Sequence, residues 1–246
     1  MSKKKFDFSF IKNFFDNDFI KDLMFPIHKT GYPFIIIFLV SSLILGSISD
    51  FLGWIGIILT LWCVYFFRDP DRITPKEKHL IISPADGKII KIEDAEIPSE
   101  FKEKKTMKKI SIFMNVFNVH VNRVPAYGKI KNLQYSPGAF FNASFDKSSK
   151  ENERMSIKLK TLDNKEIYFV QIAGLIARRI KCDLNLDQEV KSGEKFGIIR
   201  FGSRMDIYFN KDINLNVLEG QTVVGGETVL ADFSRKSKSS IVEQKK

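Results

Sequence analysis

The sequence predicts an α+β fold that is mostly β, in which an N-terminal transmembrane helical hairpin precedes a β-rich domain. Three observations predict it. Thr30 to Ser49 is a run of 20 residues without a charged side chain. After Asp50 a second such run extends from Phe51 to Phe67. Beyond residue 68, short apolar or alternating runs of strand length recur between Gly, Pro, Asn and Asp breaks.

The hairpin follows from length. A bilayer core of ~30 Å takes about 20 helical residues, with ~17 as the lower limit. Ser47, Ser49, Asp50 and Gly53 are turn formers, which puts the reversal between Gly46 and Gly53. Lys21, His28 and Lys29 precede the hairpin, Arg68, Arg72 and Lys76 follow it, and only Asp50 lies between. By the positive-inside rule both ends face the cytoplasm of the cell's inner membrane. Residues 1–29 form a polar, Phe-containing lead in which Ile11–Met24 has the pattern of an interfacial helix. The expected divisions are thus 1–29, the hairpin 30–67, a folded domain 68–235 and a charged and polar tail 236–246 whose composition predicts disorder.

The strand pattern appears at Lys88–Ile92, Ile110–Phe113, Lys129–Leu133, Ser156–Leu162, Ile167–Ile172, Phe196–Phe201, Met205–Phe209 and Thr228–Phe233. Helical periodicity stands out only around Ile172–Ile180. Leu184-Asn-Leu with Val190-x-x-Gly193-Glu194 is echoed by Leu215-Asn-Val with Val223-x-x-Gly226-Glu227. Each reads as strand, turn, strand. The pair resembles the half-motifs of lipoyl-type barrel sandwiches, and Ser83-Pro-Ala-Asp-Gly-Lys-Ile89 resembles their opening strand. That likeness concerns fold and not chemistry.

The net charge of +10 calls for an anionic partner. No nucleic-acid module or basic–aromatic strip is present, so the apolar hairpin selects an acidic membrane surface. The lysine run Lys102, Lys104, Lys105, Lys108, Lys109 reads as a solvated face. Two cysteines and three histidines leave no C-x-x-C pair and no disulfide framework, and no metal is expected.

The segment Ile198-Ile-Arg-Phe-Gly-Ser-Arg-Met-Asp-Ile-Tyr-Phe209 places Gly202-Ser203 between two apolar strands. Spacing alone makes it a turn. The segment resembles the processing site of the phosphatidylserine decarboxylase proenzyme family, in its short prokaryotic class. So do Phe66-Phe-Arg-Asp-Pro-Asp-Arg72, Ser83-Pro-Ala-Asp-Gly87, Phe117-Asn-Val-His-Val-Asn-Arg-Val-Pro125, Asn152-Glu-Arg154 and Gln171-Ile-Ala-Gly-Leu-Ile-Ala-Arg-Arg-Ile180, in the right order over about residues 60–233.

The resemblance implies a chemistry. The Ser203 hydroxyl attacks the Gly202 carbonyl, and the chain divides into 1–202 and a second piece that starts as a pyruvoyl group at position 203. Gly202 suits this because it tolerates unusual backbone angles. The pyruvoyl carbonyl would condense with the serine amine of phosphatidylserine and draw electrons as CO2 leaves, with no metal or diffusible cofactor. The product is phosphatidylethanolamine. His120 matches the family's decarboxylation histidine, and Asp86 its relay aspartate. Arg178 and Arg179 are candidates for the lipid phosphate or carboxylate. The two chains are expected to stay associated, with the oligomeric state open. Two departures stand out. Arg123 occupies the place of the second histidine that longer relatives use for self-cleavage, and Arg204 follows the serine where they have Thr. His79 and His28 read as a solvated loop residue and an interfacial residue.

A competing reading is a membrane-anchored, lipoyl-like adaptor without catalysis. Asp146-Lys147-Ser148 resembles a lipoyl-attachment triplet, but the half-motifs do not flank Lys147, and the heptads of an adaptor are missing.

Overall fold

A computed structural model of the chain describes residues 26–144, 151–174, 179–200 and 203–236. The expected helix Ile11–Met24, the triplet at Lys147, Arg178, Gly202 and the end of the tail lie outside these residues. The chain divides into two compact units, Met1–Asp71 and Arg72–Lys246.

The first unit contains helices α1 (Tyr32–Ile48) and α2 (Asp50–Phe66). Only Ser49 breaks the helical path, with an extended φ of −157°. The expected reversal was wider. Gly46 and Gly53 instead lie within the helices, where a Cβ on Gly53 would come within 2.8 Å of the Gly46 Cα. One on Gly56 would meet the Ser42 Cα at 2.7 Å. Ser42 also donates to the Gly53 carbonyl at 3.1 Å. Small residues that let backbones touch are the packing device of helices in lipid, where water expulsion supplies no driving force. The outward side chains Ile37, Leu43, Ile48, Phe51, Trp54 and Leu61 are 61–73% exposed, a surface that lipid suits and water does not. The helical stretch Lys29–Ile48 is long and apolar enough to cross a bilayer, and α2 is shorter.

The second unit is built of β1 (Leu80–Ile82), β2 (Gly87–Glu96), β3 (Thr106–Met114), β4 (Val121–Arg123), β5 (Gly128–Ser136), β6 (Arg154–Thr161) and β7 (Glu166–Ala173). Then come β8 (Ile180–Cys182), β9 (Glu189–Val190), β10 (Lys195–Ile199), β11 (Ser203–Phe209), β12 (Ile213–Leu215), β13 (Thr222–Val223) and β14 (Val229–Lys236). An eight-stranded antiparallel sheet runs β13-β2-β3-β11-β7-β6-β5-β9, and two three-stranded sheets run β1-β14-β12 and β4-β10-β8. The mostly-β α+β class expected from the sequence is the one observed. Residues 175–178 of the expected helical stretch Ile172–Ile180 lie outside the described residues, and its described ends belong to β7 and β8, where Ile172 packs with Val170 and Tyr208.

The halves expected from the glycine echo are explicit. His79-Leu-Ile-Ile-Ser-Pro-Ala-Asp-Gly-Lys-Ile89 and His120-Val-Asn-Arg-Val-Pro-Ala-Tyr-Gly-Lys-Ile130 occupy matching places. Gly226 donates its N–H to the Ser83 carbonyl and Gly193 to that of Val124, both at 2.8 Å. Both glycines have positive φ, +84° and +79°, which a side chain would resist. Arg123 N–H to Pro84 O and Ile82 N–H to Pro125 O, each 2.8 Å, tie the halves to one another. The copies diverge where chemistry is expected. Asp86 stands where the second copy has Tyr127, and Asn122-Arg123 replaces Ile81-Ile82.

Strand β11 lies at the centre of the large sheet. It pairs with β3 from Ser203↔Met114 to Phe209↔Lys108 and with β7 from Ser203↔Ala173 to Tyr208↔Tyr168. Alternation sends Ser203, Met205, Ile207 and Phe209 to the main core with Met114, Ile112, Ile110 and Phe169. Arg204, Asp206 and Tyr208 face the other side, toward a second cluster of Ile97, Phe101, Met107, Val170 and Ile172. Part of the lysine run lies on that side too and is less solvated than expected. Lys109 is 6% exposed and pairs with Glu93 at 2.5 Å, Lys108 pairs with Asp94, and Lys105 with Glu166.

Candidate active site

Three strand ends converge on Ser203. β3 stops at Met114, β7 stops at Ala173, and β11 starts at Ser203 on the same rung. The serine is fully buried, and its Oγ lies 3.7 Å from the Met114 sulfur. Asn122 Nδ2 lies at the same distance from that sulfur. Asn122 Oδ1 accepts from Gln171 Nε2 at 2.8 Å, and Gln171 Nε2 also faces the Lys181 carbonyl at 3.5 Å. Asn122 and Gln171 are both fully buried. The result is a polar thread through an apolar core, from a backbone carbonyl to the serine.

His120 enters through β4 and β10. Its carbonyl accepts from Ile199 N–H at 3.4 Å, four residues ahead of Ser203, and Val121 pairs with Ile198. The ring is fully buried, with Nδ1 2.9 Å from the Asn118 carbonyl. A carbonyl only accepts, so Nδ1 carries the proton. Nε2 of the neutral ring then bears the lone pair, which is the form a base requires. The two-residue period of extended chain puts His120 on the same side as Asn122.

Asp86 precedes β2 at this same end of the sheet, where Lys88, Phe113 and Arg204 share a rung. Its Oδ2 accepts from Arg72 Nη2 at 2.8 Å and its Oδ1 from Gly225 N–H at 2.7 Å. Arg123 gives Nη1 to the Gly193 carbonyl at 3.0 Å, and its stem runs where a Cβ on Gly226 would stand. That bond braces the half-motif turn.

The arginine region is partly described. Arg179 is exposed and Arg200 is half-buried. Burial, and secondarily the charge of Arg179, hold the Arg200 guanidinium below its usual range. Two guanidinium groups therefore act on one another just ahead of Ser203. Glu153, next to Asn152, accepts from Ile180 N–H at 3.2 Å, and Asn152 donates to the carbonyls of Ala173 and Phe141, 2.7 Å each. These bonds pin the strand end that meets the serine. Asn122, Gln171, Met114, Arg72 and Arg200 are site residues that sequence reasoning did not single out, although four of the five fall in or beside segments that carried the resemblance. His79 lies 3.9 Å from Asp232, away from Ser203 in the matching half. His28 accepts from Thr30 N–H in the helical unit.

A sequence profile of the phosphatidylserine decarboxylase family matches residues 59–231. The chain belongs to the phosphatidylserine decarboxylase family. It is 55% identical over 216 residues to the phosphatidylserine decarboxylase proenzyme of Rickettsia typhi, covering 87% of this chain and 94% of that one. It is 53% identical over 226 residues to the Rickettsia bellii proenzyme, covering 92% and 98%. A phosphatidylserine decarboxylase is a carbon–carbon lyase of phospholipid metabolism made as a zymogen, and the apolar helix fits a membrane setting. The adaptor reading gives way to an enzyme.

Proposed function

We propose that this decarboxylase cuts itself between Gly202 and Ser203 and uses a pyruvoyl group made from Ser203 to convert phosphatidylserine to phosphatidylethanolamine and CO2. The observation that carries the reading is the buried Ser203 at the head of β11, four residues after Ile199, whose N–H bonds the carbonyl of the buried His120. The residues present fit such a group. The serine hydroxyl touches a thioether, a weak acceptor that leaves it available. A cut ahead of β11 would also leave that strand hydrogen-bonded on both sides, so the chains would hold together.

The group would supply an electron-withdrawing carbonyl to the lipid's amine. The chain's own residues do the rest. His120 Nε2 takes and returns protons in both self-cleavage and turnover, because Arg123 is engaged at Gly193. Asp86, already accepting two hydrogen bonds, fixes the charge of the site and leaves the proton to His120. Arg179, with its neighbours Arg178 and Arg200, offers guanidinium groups to the headgroup's phosphate or carboxylate. The hairpin holds the domain at the inner membrane with its catalytic unit in the cytoplasm.

Mass spectrometry of the purified, active protein tests this. Two chains, 1–202 and 203–246, are expected, the second with a blocked N-terminus. Ser203→Ala should remain whole and inactive. An intact, active chain that retains the Ser203 hydroxyl would refute the proposal.

A further inference from the structure

The contacts around the serine raise a question that the cut itself leaves open: which group carries the charge on the departing oxygen. The Met114 sulfur receives two donors, the Ser203 hydroxyl and the Asn122 amide, each at 3.7 Å. A thioether accepts weakly, so neither donor is committed. The Asn122 amide has one orientation. The Lys181 carbonyl fixes which end of Gln171 is its nitrogen, that nitrogen fixes Asn122 Oδ1, and Asn122 Nδ2 is thereby directed to the sulfur that Ser203 also touches. Such a chain of buried amides has a cost. Gln171 Oε1 is buried without a partner among the described residues. Structural amides are normally satisfied, and an unsatisfied one calls for a reason.

We propose that Asn122 is the hydrogen-bond donor of the self-cleavage reaction and Gln171 its positioning residue. This rests on the reading that the chain is cut ahead of Ser203. In the first step Oγ bonds to the Gly202 carbonyl carbon, the C–N bond breaks, and the hydroxyl proton goes to the Ser203 nitrogen. Charge collects on the carbonyl oxygen. In the second step a base takes the Cα proton, the Cβ–Oγ bond breaks, and Oγ leaves as part of the Gly202 carboxylate. Water then replaces the nitrogen, which leaves as ammonia. Both charged oxygens arise on or next to Ser203 Oγ, which shares the Met114 sulfur with the Asn122 amide. Donors of this kind act on developing charge and lose little in the resting state.

The test follows conversion of freshly made chain into two pieces by denaturing gel, separately from lipid turnover. Asn122→Leu should slow conversion about 10²–10³-fold, the usual loss for one such donor. Met114→Leu, which removes the sulfur but keeps the volume, should convert at close to the wild-type rate. A packing role predicts the reverse pattern or equal slowing. Conversion of Asn122→Leu at the wild-type rate, or slowing of Met114→Leu to match it, overturns the proposal. If Asn122→Leu does not fold, Gln171→Met decides. It leaves the amide in place but free to turn, so conversion should slow with an unchanged melting temperature, and a wild-type rate overturns the assignment. A wild-type chain never cut ahead of Ser203 would instead refute the underlying reading.

Discussion

Arg204 and Asp206 face each other along one edge of β11, Nε to Oδ1 at 2.6 Å and Nη2 to Oδ2 at 2.8 Å, with side chains 1% and 0% exposed. The pair begins one residue beyond the serine, on the opposite face of the sheet. A two-point guanidinium–carboxylate contact is the geometry that best offsets the loss of water from both charges.

Breaking this pair from one side strands a charge. Arg204→Met should cost about 3–5 kcal/mol, the range for an unpartnered buried ion. The double change Arg204→Met with Asp206→Leu should recover most of it, since replacing both charges with apolar groups is often neutral. Denaturant unfolding in detergent measures both. Equal losses for single and double variants would show that the pair's net contribution is favourable and not merely compensated.

His120→Ala removes the imidazole that the reading assigns to both steps. Processed protein carrying the change should lose phosphatidylserine turnover by about 10²–10⁴, the usual range for a general acid–base group. Chain conversion should slow in the same variant. Normal conversion with lost turnover would assign self-cleavage to another base, and full turnover would remove His120 from the mechanism.

Acid should weaken the outer face of the large sheet in a defined window. Burial raises the Glu166 carboxyl, but hydrogen bonds from Lys105 and Lys158 outweigh it and bring the group down from 4.5 to about 2. A depressed carboxylate stabilises the fold above its unfolded value and loses that contribution as pH falls through 4.5 toward 2. Glu166→Gln should therefore melt lower than wild type at pH 7, with the gap closing as the pH is lowered across that window. A gap that stays constant down to the acid limit would contradict the assignment.

Deleting residues 30–67 should release the protein from membranes in flotation assays, because the hairpin supplies the long apolar surface. Continued flotation would show that the β unit itself binds lipid.

Much of this molecule was legible in one dimension. The charge-free runs announce α1 and α2, since hydropathy is a sum over neighbours. The eight longer strands announce themselves by a period of two. Ser203, His120 and Asp86 came from short motifs whose order along the chain is itself information. The shorter strands β4 and β8 were not seen, because three residues carry no period, and β9, β12 and β13 showed only through the echoed half-motifs. Their pairing depends on partners far along the chain.

Tertiary structure alone decided which polar residues meet. Nothing local says that Asn122 reaches Gln171, that one sulfur receives both Asn122 and Ser203, that Arg72 takes Asp86, or that Arg123 turns to Gly193. A hydrogen bond between residues separated by 8 to 89 positions has no signature in either neighbourhood. It exists because strands fixed elsewhere deliver their ends to one place, where a buried donor must find what the fold puts beside it.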